Sequence, residues 1–370
     1  MSKYTDLNTP TRTLLGPGPS MVHPRVLSAM SHPVIGHLDP EFLDVMTDVQ
    51  ELLRYVFQTE NELTIPVSGT GSAGMEASLC NFIEPSDDVL IGVNGYFGER
   101  LCDMAGRYGA QVHRMEKPWG DVFTLDEIKT ELDQCSYKLV AFVHAETSTG
   151  ALQPIEGIAD LVHAKGGLFL LDCVTSLGGI PVDIDRHEVD IAYSGTQKCL
   201  SCPPGLSPLT ISERAREVLH TRDTKVKNWY LDMSLVEHYW GDERTYHHTA
   251  PISMNFALRE ALRLVHEEGL EERYRRHRVH AEMLWEGLRE LGFDLYVAED
   301  HRLTSLTTVR VPDHVDEAGV RSKLLEKYNI EIAGGLGALA GKVWRIGLMG
   351  YSSRKENIAL LLKSIQDLMG

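Results

Sequence analysis

Apolar residues in the first two thirds of the chain alternate between short continuous runs and stretches with helical spacing. A strongly amphipathic helix is predicted at 41–57, where seven apolar residues follow the i, i+3, i+4, i+7 spacing: Phe42, Val45, Met46, Val49, Leu52, Leu53 and Val56. Runs typical of buried strands lie at 63–67, 89–93, 139–144, 168–172 and 191–194, with helical spacing between several of them at 74–82, 100–108, 125–132 and 155–165. Continuous apolar strands separated by helices predict an α/β domain with a mostly parallel sheet covered on both faces.

The pattern changes beyond about residue 254. A long helical region at 256–292 contains the basic run 273–278, which we interpret as a solvated helix face. A strand, a helix, two strands and a final helix are then predicted at 306–311, 316–328, 330–333, 342–348 and up to Met369. The pattern therefore predicts an extended segment at 1–20, a large α/β domain at 21–255 and a smaller α+β domain at 256–370.

Charge and cysteine content narrow the function classes. A formal net charge of -17 over 370 residues argues against nucleic acid or an anionic membrane as a partner. No apolar run is long enough to span a membrane, and the first ten residues lack the apolar centre of a secretory signal. The six cysteines show no disulfide framework or zinc spacing, Cys199 and Cys202 included, so we expect reduced thiols, no bound metal and a cytoplasmic protein.

A glycine-rich segment, 67–74, follows a predicted strand and precedes a predicted helix. Backbone N–H groups at a helix N-terminus, with the hydroxyls of Thr70 and Ser72, suit a phosphate group. The G-x-G-x-x-G pattern also occurs in dinucleotide-binding enzymes, which place an acidic residue at the far end of the next strand. Here Asp87 and Asp88 come before that strand, so an NAD-dependent oxidoreductase is only a remote alternative.

Two further residues lie where ligands bind in such sheets, after the carboxyl ends of strands. Asp172 closes an apolar run, and a carboxylate there needs a partner such as the ring nitrogen of pyridoxal phosphate, or else a structural hydrogen bond. Lys198 follows the next strand, so the two side chains can face one crevice. A lysine held away from water can act as a nucleophile towards an aldehyde.

The order of phosphate loop, strand-end acid and lysine resembles that of the class V aminotransferases. These belong to fold type I of the pyridoxal phosphate enzymes, and the chain is most similar to the alanine–glyoxylate and serine–pyruvate group. The resemblance runs from Gly16-Pro17-Gly18-Pro19 through Ser194-Gly195-Thr196-Gln197-Lys198 and Tyr246-His247-His248-Thr249 to the segment around Arg345. It implies a seven-stranded-type sheet in the large domain, pyridoxal 5′-phosphate as cofactor and a homodimer.

The resemblance also implies a role for each matching residue. Lys198 would carry the cofactor as a Schiff base and move the substrate proton, and Asp172 would pair with the ring nitrogen. The other implied cofactor contacts are Phe97 and Val174 on the ring faces, Thr147 near the ring hydroxyl, Thr70, Gly71, Ser72 and Gln197 at the phosphate, and Tyr246 and Thr249 from the neighbouring subunit. Vertebrate members tend to have tryptophan in place of Phe97 and histidine in place of Ser72, so a phosphate contact is better supported for Gly71 than for Ser72.

Arg345 is the candidate for the substrate carboxylate. It lies in a predicted strand with several glycines nearby, and a guanidinium with room before it can bind a planar carboxylate through two hydrogen bonds. An internal salt bridge to an acid such as Glu331 is the alternative. The resemblance to the alanine–glyoxylate and serine–pyruvate group implies transfer of an amino group from a small L-amino acid, with alanine or serine favoured, to a 2-oxo acid, glyoxylate or pyruvate.

Other class V activities stay open at this point. Ureidoglycine–glyoxylate, aspartate–glyoxylate and aminoethylphosphonate transaminases use the same residues, and a kynureninase-like lyase is a further alternative. Cysteine desulfurases require a cysteine loop in the C-terminal domain, whereas all six cysteines here precede residue 203. Among the amino donors, the resemblance favours alanine or serine.

Overall fold

A computed structural model describes residue 4 and residues 6–369. Its strands are β1 (Thr13–Leu14), β2 (Leu63–Ser68), β3 (Asp88–Val93), β4 (Gln111–Glu116), β5 (Leu139–Val143), β6 (Ala145–Glu146), β7 (Ala151–Leu152), β8 (Leu168–Asp172), β9 (Ile191–Tyr193), β10 (Leu206–Ile211), β11 (Leu306–Arg310), β12 (Ile330–Glu331), β13 (Ala333–Gly334) and β14 (Val343–Gly347).

The α-helices are α1 (Pro24–Ala29), α2 (Pro40–Phe57), α3 (Gly71–Cys80), α4 (Tyr96–Arg107), α5 (Leu125–Leu132), α6 (Ile158–His163), α7 (Glu213–His220), α8 (Met233–Trp240), α9 (Ile252–Glu268), α10 (Leu270–Glu290), α11 (Glu317–Tyr328) and α12 (Lys355–Met369). Four short 3-10 helices lie at Trp229–Leu231, Glu299–His301, Gly337–Leu339 and Gly350–Ser352. Within the described ranges, no helix combines the length and apolar character needed to cross a membrane.

Seven strands of the described chain form the central sheet, in the order β2-β10-β9-β8-β5-β3-β4. β10 runs antiparallel to both its neighbours, and the other adjacent pairs are parallel. Two apolar cores cover the sheet, one on each face. The predicted α/β class with a mostly parallel sheet is thus confirmed.

The C-terminal part builds a small antiparallel sheet, β11-β14-β13. Its core includes residues of α10, α11 and α12, with Trp344 of β14 fully buried at its centre. Strand β1 also joins this part, pairing in parallel with β12. Helix α9 shares the large-domain core with α2, so we propose that the domain boundary, predicted at residue 255, lies further along the chain, near the start of α10.

The basic run on α10, which we interpreted as a solvated face, is exposed only in part. Arg273 and His277 are buried. Arg273 donates hydrogen bonds to the carbonyl oxygens of Gly178 and Cys199 and is paired with Glu268 at 2.6 Å. The periodicity places these two residues on the inner face of α10, where Arg273 supports the turn that carries Lys198 and His277 accepts a hydrogen bond from the Gly350 backbone N–H.

Candidate active site

The carboxyl ends of the parallel strands β2, β3, β5, β8 and β9 meet at one edge of the sheet. The loops after them bring together most of the predicted site residues, because parallel strands place their following loops on the same side. Asp88, which would have been the nearest acid for a dinucleotide, begins β3 and so lies at the opposite edge.

Asp172 ends β8 and is 2% exposed. Its carboxylate accepts a hydrogen bond from the Tyr193 hydroxyl at 2.6 Å and another from the backbone N–H of Val174 at 2.9 Å. Burial raises the pKa of Asp172, and among the described residues no cation forms an ion pair with it. A positively charged group entering this crevice would therefore stabilise the ionised carboxylate.

Lys198 follows β9 in a turn and is 9% exposed. Its amino group donates a hydrogen bond to the carbonyl oxygen of Pro17, and a side chain on Gly18 would come within 2.8 Å of it. Burial, with the nearby charge of Arg345, lowers the pKa of Lys198 to about 8. The structure thus holds a partly neutral, enclosed amine beneath the Gly-Pro segment of the N-terminus.

The glycine loop and the lysine turn approach each other closely. Gly71 begins α3, and a Cβ added there would lie 3.4 Å from Val174 and 3.6 Å from Gly195. Gln197 has a buried side-chain oxygen without a hydrogen-bond partner in the described chain. Thr70 and Ser72 are exposed at the start of α3, where helix N–H groups have no intrahelical acceptors. This end of the site has the donors that a phosphate group requires.

Phe97 and Thr147 flank the same crevice. Glu146, a residue that the sequence interpretation missed, links the two segments that carry them. The fully buried Glu146 accepts hydrogen bonds from the backbone N–H groups of Phe97 (3.1 Å) and Ser148 (3.0 Å) and from the Ser148 hydroxyl (2.6 Å). Burial raises the pKa of Glu146. The Thr147 hydroxyl pairs with that of Thr175 at 2.6 Å. Glu146 was detectable only as an acid in a buried strand run.

Arg345 lies in β14 and is buried. It donates hydrogen bonds to the carbonyl oxygens of Gly334 (2.8 Å) and Thr147 (3.2 Å), and the ion pairs of the described residues do not include it. Glu331, its suggested alternative partner, is exposed. Burial lowers the pKa of Arg345 to about 10. A buried guanidinium held only by carbonyl groups keeps its charge available for an anionic ligand.

Arg100, on α4, is a second arginine at the site and was not predicted. Its guanidinium donates to the Ser72 hydroxyl at 3.3 Å and lies 4.9 Å from the centre of the Phe97 ring. The sequence pattern started this helix at residue 100, whereas the structure starts it at Tyr96. The earlier start places Phe97 and Arg100 one turn apart on the face towards the crevice.

In the described chain, no hydrogen bond or ion pair connects Tyr246 or Thr249 to the other predicted site residues. Both are exposed, Tyr246 by 56%. Between them, His248 hydrogen-bonds the Ser68 side chain at 2.7 Å, so their loop rests beside the end of β2. Their predicted contact with a second subunit stays a prediction.

Comparison with known proteins gives one consistent result. The family profile "Aminotransferase class-V" matches residues 13–361. The (S)-ureidoglycine–glyoxylate transaminase of Bacillus subtilis is 43% identical, over 99% of this chain and 92% of its own length. Alanine–glyoxylate aminotransferase of Callithrix jacchus is also 43% identical, over 98% of this chain and 88% of its own. The crystal structure of alanine–glyoxylate aminotransferase from Nostoc sp. superposes with a TM-score of 0.98 and 56% identity, over 100% of this chain and 98% of that one.

Proposed function

The chain belongs to the class V aminotransferases, and we propose that it transfers the amino group of a small L-amino acid to glyoxylate or pyruvate with pyridoxal 5′-phosphate bound at Lys198 and Asp172. The observation that carries the proposal is the pair formed by an enclosed amine of lowered pKa and a buried carboxylate without a cationic partner. An aldehyde and a protonated ring nitrogen on one planar molecule would satisfy both.

The residues present suit this cofactor. Gln197 has a buried side-chain amide whose oxygen has no partner in the described chain, and the N–H groups of such an amide can donate to a phosphate. Gly71 and Gly195 pass close to each other beside Val174, where a Cβ added at 71 would already be in van der Waals contact with the Val174 side chain. Phe97 and Val174 would hold the ring, and Gly71, Ser72 and the N-terminus of α3 would hold the phosphate.

When bound, the cofactor supplies an aldehyde that condenses with amines and a ring that withdraws electrons. The protein's own residues do the rest. Lys198 accepts and returns the proton of the substrate α-carbon, because its lowered pKa lets the amine exchange protons near neutral pH. Asp172 keeps the ring nitrogen protonated, and Tyr193 and the Val174 N–H fix the orientation of the carboxylate.

The N-terminal segment and Arg345 define where a substrate would sit. Pro17 and Gly18 contact the Lys198 side chain, and Arg345 lies on the other side, tied to the Thr147 carbonyl. A substrate whose carboxylate is held by Arg345 must present its α-carbon to Lys198 beneath this segment.

A screen of amino donors tests the function. Purified protein with pyridoxal phosphate is mixed with alanine, serine, aspartate, ureidoglycine or aminoethylphosphonate, each with glyoxylate or pyruvate, and new amino acid is measured. We expect alanine or serine with glyoxylate to react fastest. A preference for ureidoglycine would instead identify the activity as that of a ureidoglycine–glyoxylate transaminase. No transfer with any donor would contradict the proposal.

Capture of the cofactor should depend on pH. Only the neutral amine attacks an aldehyde, so below pH 8 the capture rate of cofactor-free protein should rise about tenfold per pH unit and then level off above about 8. Stopped-flow absorbance across pH 6–10 (on the order of half-unit steps) measures this directly. A plateau only near the ordinary lysine pKa would show that burial does not tune this amine.

We also propose a homodimer in which Tyr246 and Thr249 complete the phosphate site of the second subunit. Their exposure beside the end of β2, and that of Trp229 and Tyr230 close by, supports this arrangement, because such aromatic side chains are typical of interfaces. Sedimentation that finds a fully active monomer would contradict it.

A further inference from the structure

Arg100 is distinguished from the other arginine of its helix because its guanidinium forms no direct ion pair in the described chain. The other arginine of α4, Arg107, pairs with Asp103 at 3.0 Å. The acid next to Arg100, Glu99, is engaged by Arg114 at 2.8 Å. Within the part of the chain that the structure describes, no ion pair includes Arg100. An arginine whose neighbours on the same helix are all paired is available for an anion from outside the chain.

The position of Arg100 specifies which part of the site that anion would occupy. Its guanidinium reaches the Ser72 hydroxyl, in the first turn of α3, and stacks over Phe97. Burial raises the pKa of Asp172, and the charge of Arg100 partly opposes that rise; burial and Arg345 lower the pKa of Lys198, and Arg100 adds to this more weakly. Arg100 therefore lies between the ring and the phosphate ends of the crevice, on the side of the α3 N-terminus.

We propose that Arg100 binds the phosphate group of the cofactor, as a residue of the phosphate site additional to those implied by the family resemblance. The inference rests on the proposed function. Ser72, Gly71 and Gln197 offer only uncharged donors or an acceptor, whereas a phosphate carries close to two negative charges and a guanidinium can donate two parallel hydrogen bonds to it. Stacking on Phe97 keeps the guanidinium plane in place, so fewer conformations are lost when the phosphate binds.

The test separates the phosphate from the ring. Cofactor-free wild-type protein, Arg100→Gln and Arg100→Lys are titrated with pyridoxal 5′-phosphate and with pyridoxal, which lacks the phosphate, following tryptophan fluorescence. We expect Arg100→Gln to weaken pyridoxal phosphate binding about 10- to 100-fold and pyridoxal binding by less than about threefold, with Arg100→Lys in between. Arg107→Gln is the matched control, since it removes an arginine of the same helix that already has a partner.

Each other outcome has a defined meaning. Equal weakening of both ligands would overturn the inference, because Arg100 would then act on the ring or on Phe97. Unchanged pyridoxal phosphate affinity, with loss of activity towards aspartate alone, would overturn it too and assign Arg100 to a second substrate carboxylate. Wild-type protein that binds neither ligand would instead contradict the proposed function, so the two failures are distinguishable.

Discussion

Lys198→Ala should lower kcat/KM for amino transfer by about 10⁴-fold or more, the largest effect expected of any single substitution. The amine is both the nucleophile that captures the cofactor and the group that moves the α-proton, and either loss alone is severe. Burial also lowers the pKa of Arg345, but only to about 10, and a guanidinium cannot replace a neutral amine. Activity and the visible absorbance of the protein with pyridoxal phosphate are both measured.

The controls for Lys198 separate chemistry from folding. Lys198→Arg keeps a cation and most of the volume but cannot supply a neutral amine, so it should be about as inactive as the alanine variant. Adding a small primary amine to Lys198→Ala should restore part of the activity, because it can enter the space left behind. If Lys198→Ala kept activity within about tenfold of wild type, the assignment of this residue would be wrong.

Arg345→Ala should cost about 2–5 kcal/mol in transition-state binding of carboxylate substrates, or roughly 30- to 5000-fold in kcat/KM. The guanidinium is buried and held by the carbonyl oxygens of Gly334 and Thr147, so its charge is not offset by an acid in contact. Removing it leaves the substrate carboxylate desolvated and unpaired. Steady-state kinetics with alanine measures the loss, mainly as an increase in KM.

A substrate without a carboxylate gives the control for Arg345. Ethylamine presents the same small side chain as alanine but has nothing for the guanidinium to bind, so its slow reaction should differ little between Arg345→Ala and wild type. Arg345→Lys should fall between the two, because it keeps the charge but loses the two-pronged geometry. An unchanged KM for alanine in Arg345→Ala would rule out the assigned role.

The elements that carry the site were predictable because their patterns are simple. Strands β8 and β9 read as uninterrupted apolar runs, and Asp172 and Lys198 come at and after their ends. Strand β10 was not predicted, since LSPLTI contains a serine and a proline, although it is buried throughout. Pro208 lies opposite Pro66 of β2 in the antiparallel register. Neither proline has a backbone N–H to donate. In an antiparallel sheet every second pair of opposite residues exchanges no hydrogen bonds, and both prolines can occupy such a pair.

Other parts of the structure depended on tertiary contacts that leave no local signal. Strand β4 is a polar, largely exposed edge strand and lacks an apolar run. Arg273 stands in a basic run that resembles a solvent-facing helix, yet it is buried against the carbonyl of Cys199 beside the lysine turn. The region predicted as one helix at 256–292 is divided at Gly269, whose positive φ of 80° ends α9 and begins α10. A single glycine in a long helical pattern does not reveal which conformation it adopts.

Strand β1 gives the chain a particular order of assembly. Arg12 hydrogen-bonds Asn329, 317 residues later, Leu15 donates to the carbonyl of Glu331, and Gly347 donates back to Leu15. During synthesis, residues 12–15 therefore leave the ribosome long before their partners at 329–347. Since Pro17 covers Lys198, the amine stays open to water through that interval. Closure of the pocket over the amine is thus tied to formation of the C-terminal strands, because β12 and β14 hold the segment that covers it.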